Sequence, residues 1–219
     1  MDLSIIIPCH NSEYCIKPLL DSLVSQVFSS EVELIFVLDD CTDNTEGYLN
    51  EYWSNIPNRF KEIKLAKCKV NRCGLARNRG LEESSGKYVW FIDSDDWLLD
   101  EWAITKVTTI LDIVPDIKLC HIDYKSALFP RDCPIMVWQY VFRRDAIGEL
   151  RFSGIQPHED QEFMLNFKDC EQINIKGTDM YYYNYLRPES NIWKYSRDEL
   201  ESDEMPEEIK KLNGIEDED

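Results

Sequence analysis

Three carboxylates within four positions are the residues in this sequence best suited to chemistry. Asp93, Asp95 and Asp96 directly follow the apolar run at residues 88–92, with Ser94 between them. Carboxylates this close raise one another's pKa unless a cation lies among them, and oxygen ligands at a strand end suit Mg²⁺ or Mn²⁺. A polar turn is the alternative, since Asp and Ser favour turns and caps, and Asp96 is equally a candidate N-cap for a segment beginning at Trp97.

The elements that must position these carboxylates alternate between strand and helix patterns. Apolar runs predict strands, and apolar residues at helical spacing predict helices between them. The predicted strands cover 3–8, 32–38, 63–67 and 88–92, and the predicted helices cover 13–26, 44–53 and 75–84. This order predicts an α/β fold with a mainly parallel central sheet flanked by helices on both faces.

Polar residues follow three of the predicted strands. His10 and Asn11 follow the first, Asp39 and Asp40 end the second, and the aspartates at 93–96 follow the fourth. In parallel sheets ligands bind beyond the carboxyl ends of the strands, where the loops converge. We therefore expect one crevice to collect all of these side chains.

The composition describes a globular protein without a membrane span. The chain has 219 residues, of which 43% are apolar, and its formal net charge of −18 makes nucleic acid an unlikely partner. No apolar run approaches the roughly 20 residues of a membrane-spanning helix, and no basic export signal opens the sequence, so we expect a cytoplasmic protein. Residues 198–219 contain eleven acidic residues, which predicts a solvated acidic tail at 196–219.

The eight cysteines are scattered, without a Cys-x-x-Cys pair. This spacing disfavours a structural zinc site and a disulfide framework. We expect reduced and mostly buried thiols.

Five short motifs occur in an order typical of one enzyme family. They are SIIIP at 4–8, VLDD at 37–40, ARNRG at 76–80, FIDSDD at 91–96 and HEDQEF at 158–163. Together they resemble the family 2 glycosyltransferases with a GT-A fold. Cys41-Thr42 stands where relatives usually have Gly-Ser.

The resemblance implies an activity and a domain organisation. It implies a metal-dependent, inverting glycosyltransferase that uses Mn²⁺ or Mg²⁺ and moves a sugar from a nucleotide diphosphate sugar, most simply a UDP-sugar, to an acceptor hydroxyl. The acceptor would be a glycan, a lipid-linked sugar or a protein. Residues 1–195 would form one GT-A domain, with a donor-binding half at about 1–97 and an acceptor half at about 98–195.

The resemblance also implies which residues bind the donor. Asp95 would ligate the metal, with Asp93 on the metal or its waters, or on the donor ribose. Asp39 and Asp40 would accept hydrogen bonds from the nucleotide base and ribose, as carboxylates do well. The remaining donor-binding residues are Pro8, Asn11, Arg77 and Ser94. Arg77 and Arg79 are two apart in a helical pattern, so at most one of them faces the nucleotide.

The transfer reaction also needs a base that removes the proton from the acceptor hydroxyl. By resemblance this base is Asp160, in the first turn of a helix predicted to begin at Glu159. A carboxylate that only complements the helix dipole is the alternative. His158 is either a metal or phosphate contact or a neutral loop histidine, and we expect the second.

The sequence after residue 98 contains fewer patterns that predict structure or function. The run at 136–142 predicts a strand leading into a short helix, in which Trp138 is either a core residue or a platform for a sugar ring. A late strand is predicted at 181–187. The following loop at 188–191 is a candidate lid, with Arg187 or Lys194 facing the diphosphate.

Two other functions remain open on sequence grounds. One is a non-catalytic module that binds nucleotide or acts as a scaffold through its acidic tail. The other is a sugar nucleotidyltransferase, which normally has a glycine-rich loop after the first strand, whereas residues 8–11 contain no glycine.

Overall fold

The structure is a computed structural model that describes residues 1–54, 59–126, 135–154, 158–175 and 180–183. The candidate lid at 188–191, Arg187, Lys194 and the acidic tail at 196–219 lie outside the described residues. The boundary predicted at residue 195 lies outside them too.

Ten strands and six α-helices make up the described elements. The strands are β1 Leu3–Cys9, β2 Val32–Asp39, β3 Glu62–Cys68, β4 Tyr88–Phe91, β5 Trp97–Leu98, β6 Leu119–Ile122, β7 Tyr124–Ser126, β8 Tyr140–Arg143, β9 Gln172–Ile175 and β10 Tyr181–Tyr183. The helices are α1 Lys17–Val24, α2 Thr45–Ser54, α3 Cys73–Glu83, α4 Ala103–Ile113, α5 Arg144–Ile147 and α6 Glu159–Leu165, and a 3₁₀ turn covers Val137–Gln139.

Seven strands form the central sheet in the order β3-β2-β1-β4-β8-β6-β9. Strand β8 runs antiparallel to both of its neighbours, and the other pairs are parallel. The predicted α/β fold with a mainly parallel sheet is confirmed. The carboxyl ends of β1, β2 and β4 therefore lie at one edge of the sheet, as the positions of the polar loops require.

Helices cover both faces of the sheet. Successive strand residues point to opposite faces and pack into two different apolar clusters. Ile5 and Ile7 pack in a cluster with helices α1, α2 and α4, whereas Ile6 packs in a second cluster with α3 and α6. Every residue of β1 and β2 is buried. Strands buried on both faces explain why these segments read as continuous apolar runs rather than as alternating ones.

Several predicted element boundaries differ from the structure by a few residues, and the strand predicted at 136–142 begins only at Tyr140, after the 3₁₀ turn. Helix α1 begins at Lys17 rather than at residue 13, because Pro18 suits a first helical turn and the Glu13 N–H donates to Asp43 Oδ2 instead (3.0 Å). The alternative in which Asp96 caps a helix at Trp97 is wrong, because Trp97 and Leu98 form strand β5.

A second, three-stranded sheet has the order β5-β10-β7. Strand β10 is antiparallel to β5 and parallel to β7. Strand β5 directly follows the aspartate loop at 93–96, so this small sheet fixes the position of the chain where the loop ends.

Trp138 is fully buried and stacks on Tyr181 with ring centroids 4.8 Å apart. It is therefore a core residue and not a sugar platform.

The seven described cysteines are free thiols, but only Cys9 and Cys120 are buried and the other five are partly exposed, so the expectation of mostly buried thiols is wrong; Cys133 lies outside the described residues. Among the described helices there is none whose length and hydropathy would allow it to cross a membrane.

Candidate active site

Hydrogen bonds between loops assemble the crevice at the carboxyl edge of the sheet. Asn11 adopts a positive φ of 49°, and its Oδ1 accepts hydrogen bonds from the N–H groups of Thr42 (2.7 Å) and Asp43 (3.2 Å). The hydroxyls of Ser12 and Ser94 lie 2.9 Å apart. The loops after β1, β2 and β4 are thus joined, which brings the predicted site residues of all three loops together.

Asp39 supports the loop after β3 with its carboxylate. Its Oδ1 accepts from the N–H groups of Val70 (2.8 Å) and Asn71 (3.0 Å), and its Oδ2 accepts from that of Arg72 (3.1 Å). Asp39 is only 3% exposed. Its contact with a nucleotide base stays a prediction, and the contacts in the structure give it a role in shaping the loop.

Asp40 is the more accessible member of the aspartate pair. It has a positive φ of 48°, and its carboxylate lies 3.5 Å from the ammonium group of Lys69. Pro8, by contrast, is buried within β1 opposite Val37. Of these two predicted donor-binding residues, Asp40 has the side chain that a nucleotide could reach.

The three aspartates after β4 have different surroundings. Asp96 is 1% exposed, and its Oδ2 accepts a hydrogen bond of 2.6 Å from the hydroxyl of Tyr181. Asp93 and Asp95 are partly exposed, whereas Ser94 between them is buried. Asp96 is therefore held by the fold, and Asp93 and Asp95 are the carboxylates that a ligand in the crevice could reach.

Arg77 joins the aspartate loop to helix α6. Its Nη2 donates to Asp93 Oδ1 (2.8 Å) and its Nη1 donates to Asp160 Oδ1 (2.6 Å). The guanidinium carbon lies 5.5 Å from the ring centre of Phe152, and the residue is 2% exposed. Arg79 points away and pairs with two glutamates of its own helix, as the spacing predicts. Arg77 thus contacts two predicted site carboxylates, while its contact with a nucleotide stays a prediction.

Asp160 lies in the first turn of α6, as predicted, and is 3% exposed. Its second oxygen accepts from the N–H of Val137 (3.2 Å). Burial raises the pKa of Asp160, although the charge of Arg77 opposes the rise. The carboxylate is therefore fixed in place and has a greater proton affinity than an exposed one.

Glu159 is a functional candidate to which the sequence pattern assigns no role. Burial and the charge of Asp160 raise its pKa to about 7, against the opposing effect of Arg77. Its Oε2 has no hydrogen-bond partner among the described residues, and its Oε1 lies 4.0 Å from Arg77 Nη1. Since Asp160 holds the closer contact with Arg77, Glu159 is the member of this pair that takes up a proton more readily. His158, next to it, is 8% exposed, and burial lowers its pKa, which favours the expected neutral form.

The donor set at 93–95 fits a divalent cation that is shared with a substrate. Within the described ranges, no group of three or more His, Cys, Asp and Glu side chains is arranged to hold a metal ion. Mg²⁺ is usually held by one or two carboxylates, with substrate phosphates and waters supplying the other ligands. Asp93 and Asp95 supply two partly exposed carboxylates on one loop, which meets that requirement.

Comparison with known proteins identifies the family. The family model of glycosyl transferase family 2 matches residues 4–151. The chain belongs to this family, and the resemblance carried by the five motifs is confirmed.

Three curated relatives illustrate the likeness. The uncharacterized glycosyltransferase YibD of Escherichia coli (strain K12) is 26% identical over 230 aligned positions, covering 89% of this chain and 64% of YibD. An uncharacterized glycosyltransferase of Haemophilus influenzae is 31% identical, covering 77% of this chain and 71% of the relative. The poly(ribitol-phosphate) beta-glucosyltransferase of Bacillus spizizenii is 36% identical, covering 84% of this chain and 32% of the relative. The chain thus spans less than two thirds of two of these three relatives.

Solved structures support the fold. Residues 1–349 of S. aureus TarS in complex with UDP-GlcNAc match with a TM-score of 0.79 and 21% identity, over 98% of this chain and 66% of that one. The mannosyltransferase PcManGT from Pyrobaculum calidifontis, in complex with GDP-Man and Mn²⁺, matches with a TM-score of 0.72 and 15% identity, over 97% and 68% of the two chains. The predicted GT-A fold is confirmed.

Proposed function

We propose that this protein is a metal-dependent, inverting glycosyltransferase that moves a sugar from a UDP-sugar to an acceptor hydroxyl. The observation that carries the proposal is the buried contact of Arg77 with both Asp93 and Asp160. This contact joins the loop suited to a donor diphosphate to the carboxylate suited to proton removal. Membership of family 2 supports the reaction class.

Two solved structures support UDP as the nucleotide, and a third supports a divalent metal as the cofactor. TarS has been crystallised with UDP and with UDP-GlcNAc, and PcManGT with GDP-Man and Mn²⁺. In this chain Asp93 and Asp95 would hold Mg²⁺ or Mn²⁺. A cation held by these two residues would supply positive charge against the negative charge that develops on the departing diphosphate.

The donor half of the crevice orients the nucleotide through fixed loops. Asp39 holds the loop at 70–72 by its backbone N–H groups, and Asn11 holds the start of the loop at 42–43. Asp40, at the accessible end of β2, is the side chain we assign to the ribose or base. Loops held this way reduce the conformational entropy that is lost when the donor binds.

Asp160 accepts the proton of the acceptor hydroxyl in this proposal. Each carboxylate oxygen has two acceptor positions, so the contacts with Arg77 and Val137 leave one acceptor position on each oxygen. The pKa of Asp160 is raised toward neutral pH, which favours general base catalysis. A single base that activates the hydroxyl for direct attack opposite the leaving diphosphate gives inversion at the anomeric carbon.

The experiment that tests the function measures UDP release from UDP-GlcNAc and UDP-glucose with Mn²⁺, using water as the acceptor and a high enzyme concentration. Asp160→Asn should bind UDP as the wild type does but release it from the donor about 100-fold more slowly. Glu162→Gln, in the same helix and hydrogen-bonded to Ser153, is the matched control and should retain the wild-type rate. Release at the wild-type rate by Asp160→Asn would overturn the assignment, and binding without release by the wild type would favour the non-catalytic module.

A further inference from the structure

Tyr181 contacts the aspartate loop from the second sheet. It is fully buried in β10, and its hydroxyl donates to Asp96 Oδ2 at 2.6 Å. The same hydroxyl oxygen accepts a longer hydrogen bond from the N–H of Asp93, at 3.4 Å. One phenol therefore contacts the loop both before and after Asp95.

The ring of Tyr181 is held firmly enough to fix this hydroxyl. It stacks on Trp138 with an interplanar angle of 7° and lies 6.4 Å from the ring centre of Trp90. Tyr181 also pairs with Leu98 in the sheet, two residues beyond Asp96. The side chain and the backbone of Tyr181 thus hold the same loop from one side.

These contacts give the three aspartates two different roles, one in supporting the loop and the other in binding a ligand. Asp96 is turned toward the phenol and away from a ligand, and Asp93 Oδ1 is turned toward Arg77. Asp93 and Asp95 are partly exposed, so they are the two aspartates of the loop that a cation could reach. We propose that Tyr181 is a positioning residue that sets the geometry of the metal-binding loop. The inference rests on the proposed function, because it requires that Asp93 and Asp95 hold the cation.

The test compares Tyr181→Phe with Tyr88→Phe, which is its matched control. Tyr88 is also buried, at the start of β4, and its hydroxyl donates to the carbonyl oxygen of Leu111 in α4 (3.0 Å) rather than to the aspartate loop. Both variants lose one buried phenol hydrogen bond. In the presence of UDP, Tyr181→Phe should bind Mn²⁺ about tenfold more weakly, as is usual when a residue that orients metal ligands is lost, and Tyr88→Phe should not.

Two further readouts keep the inference open to refutation. Amide hydrogen exchange at Asp93 should be faster in Tyr181→Phe than in the wild type and unchanged in Tyr88→Phe, with or without metal. Asp96→Asn retains an acceptor oxygen for the phenol, so it should weaken Mn²⁺ binding less than Tyr181→Phe does. A larger loss in Asp96→Asn would make Asp96 a direct ligand and overturn the inference.

The outcomes separate this inference from the proposed function. If the wild type binds Mn²⁺ with UDP and Tyr181→Phe binds it equally well, the inference on Tyr181 is wrong and the proposed function stands. If the wild type shows no metal-dependent binding of any nucleotide, the proposed function is contradicted, and the role of Tyr181 in metal binding is contradicted with it.

Discussion

Arg77 Nη1 lies 2.6 Å from Asp160 Oδ1, and both side chains are almost fully buried. The same guanidinium reaches Asp93, and Glu159 lies at 4.0 Å. Three carboxyl groups therefore surround one cation. A proton on Glu159 and a divalent cation at the aspartate loop would each reduce the remaining negative charge, so we expect protonation, metal binding and stability to be linked at this site.

Replacing Arg77 with methionine should destabilise the protein strongly. The substitution keeps most of the side-chain volume but leaves Asp93 and Asp160 without their cation. Breaking a buried ion pair in this way costs about 3 to 5 kcal/mol. Urea unfolding of Arg77→Met and wild type at pH 7 measures the difference.

Arg79→Met is the matched control in the same helix. Arg79 is partly exposed and pairs with Glu82 and Glu83 of its own helix, so its loss should change the free energy of unfolding by less than about 1 kcal/mol. Equal effects of the two substitutions would show that the buried contact of Arg77 has no special role.

Glu159→Gln should stabilise the protein at high pH. The pKa of Glu159 is raised to about 7 in the folded state, from an ordinary value of 4.5. The folded protein therefore holds this proton more tightly than the unfolded chain does, and stability is lost as pH rises from about 4.5 through about 7. A neutral glutamine removes this loss.

Thermal unfolding between pH 5 and pH 8 tests this expectation. The gain in melting temperature of Glu159→Gln over wild type should be larger at pH 8 than at pH 5. A gain that is the same at both pH values would contradict protonation of Glu159.

Glu33 should make a stability contribution that is lost in acid. It is fully buried at the opposite end of the sheet and accepts hydrogen bonds from Ser4, Lys64 and Ser85. Burial opposes its ionisation, but these donors together lower its pKa to about 2 from 4.5. The contribution is therefore present above pH 4.5 and disappears as pH falls toward 2.

Glu33→Gln should cost about 2 kcal/mol at pH 7, since hydrogen bonds to a charged acceptor are lost, and less at pH 2.5. Glu62→Gln is the control, because Glu62 also contacts Lys64 (3.4 Å) but is exposed. Urea unfolding across this pH range measures both. A cost of Glu33→Gln that does not fall with pH would refute the ionised form of Glu33.

Asp39 and Asp40 should respond differently to the same substitution. Asp39→Asn leaves one acceptor oxygen for three backbone N–H groups, which we expect to cost about 2 kcal/mol. Asp40→Asn should change stability by less than about 0.5 kcal/mol, because asparagine tolerates the positive φ and the side chain is accessible.

Titration with UDP completes the comparison. Asp40→Asn should weaken UDP binding while the protein remains as stable as the wild type. Normal UDP binding by Asp40→Asn would contradict the role of Asp40 in nucleotide binding. Wild-type stability of Asp39→Asn would contradict the role of Asp39 in supporting the loop.

The sequence allowed the sheet and the crevice to be predicted because their signals are local. The apolar runs of β1, β2 and β4 and the polar residues at their ends can be read from neighbouring positions. The contact of Tyr181 with Asp96 joins residues that are 85 positions apart in the sequence, and no local sequence pattern predicts it. The partners of Arg77 were likewise hidden, because its helical position indicated a side of α3 but not which carboxylates pack against that side.

The most direct measurement is calorimetric titration of the wild type and Asp95→Asn with UDP, with and without Mn²⁺. We expect Mn²⁺ to tighten UDP binding by the wild type at least about tenfold and to have little effect on Asp95→Asn. UDP binding by the wild type that is independent of Mn²⁺, or an equal Mn²⁺ effect in Asp95→Asn, would contradict a metal-dependent donor site at the aspartate loop.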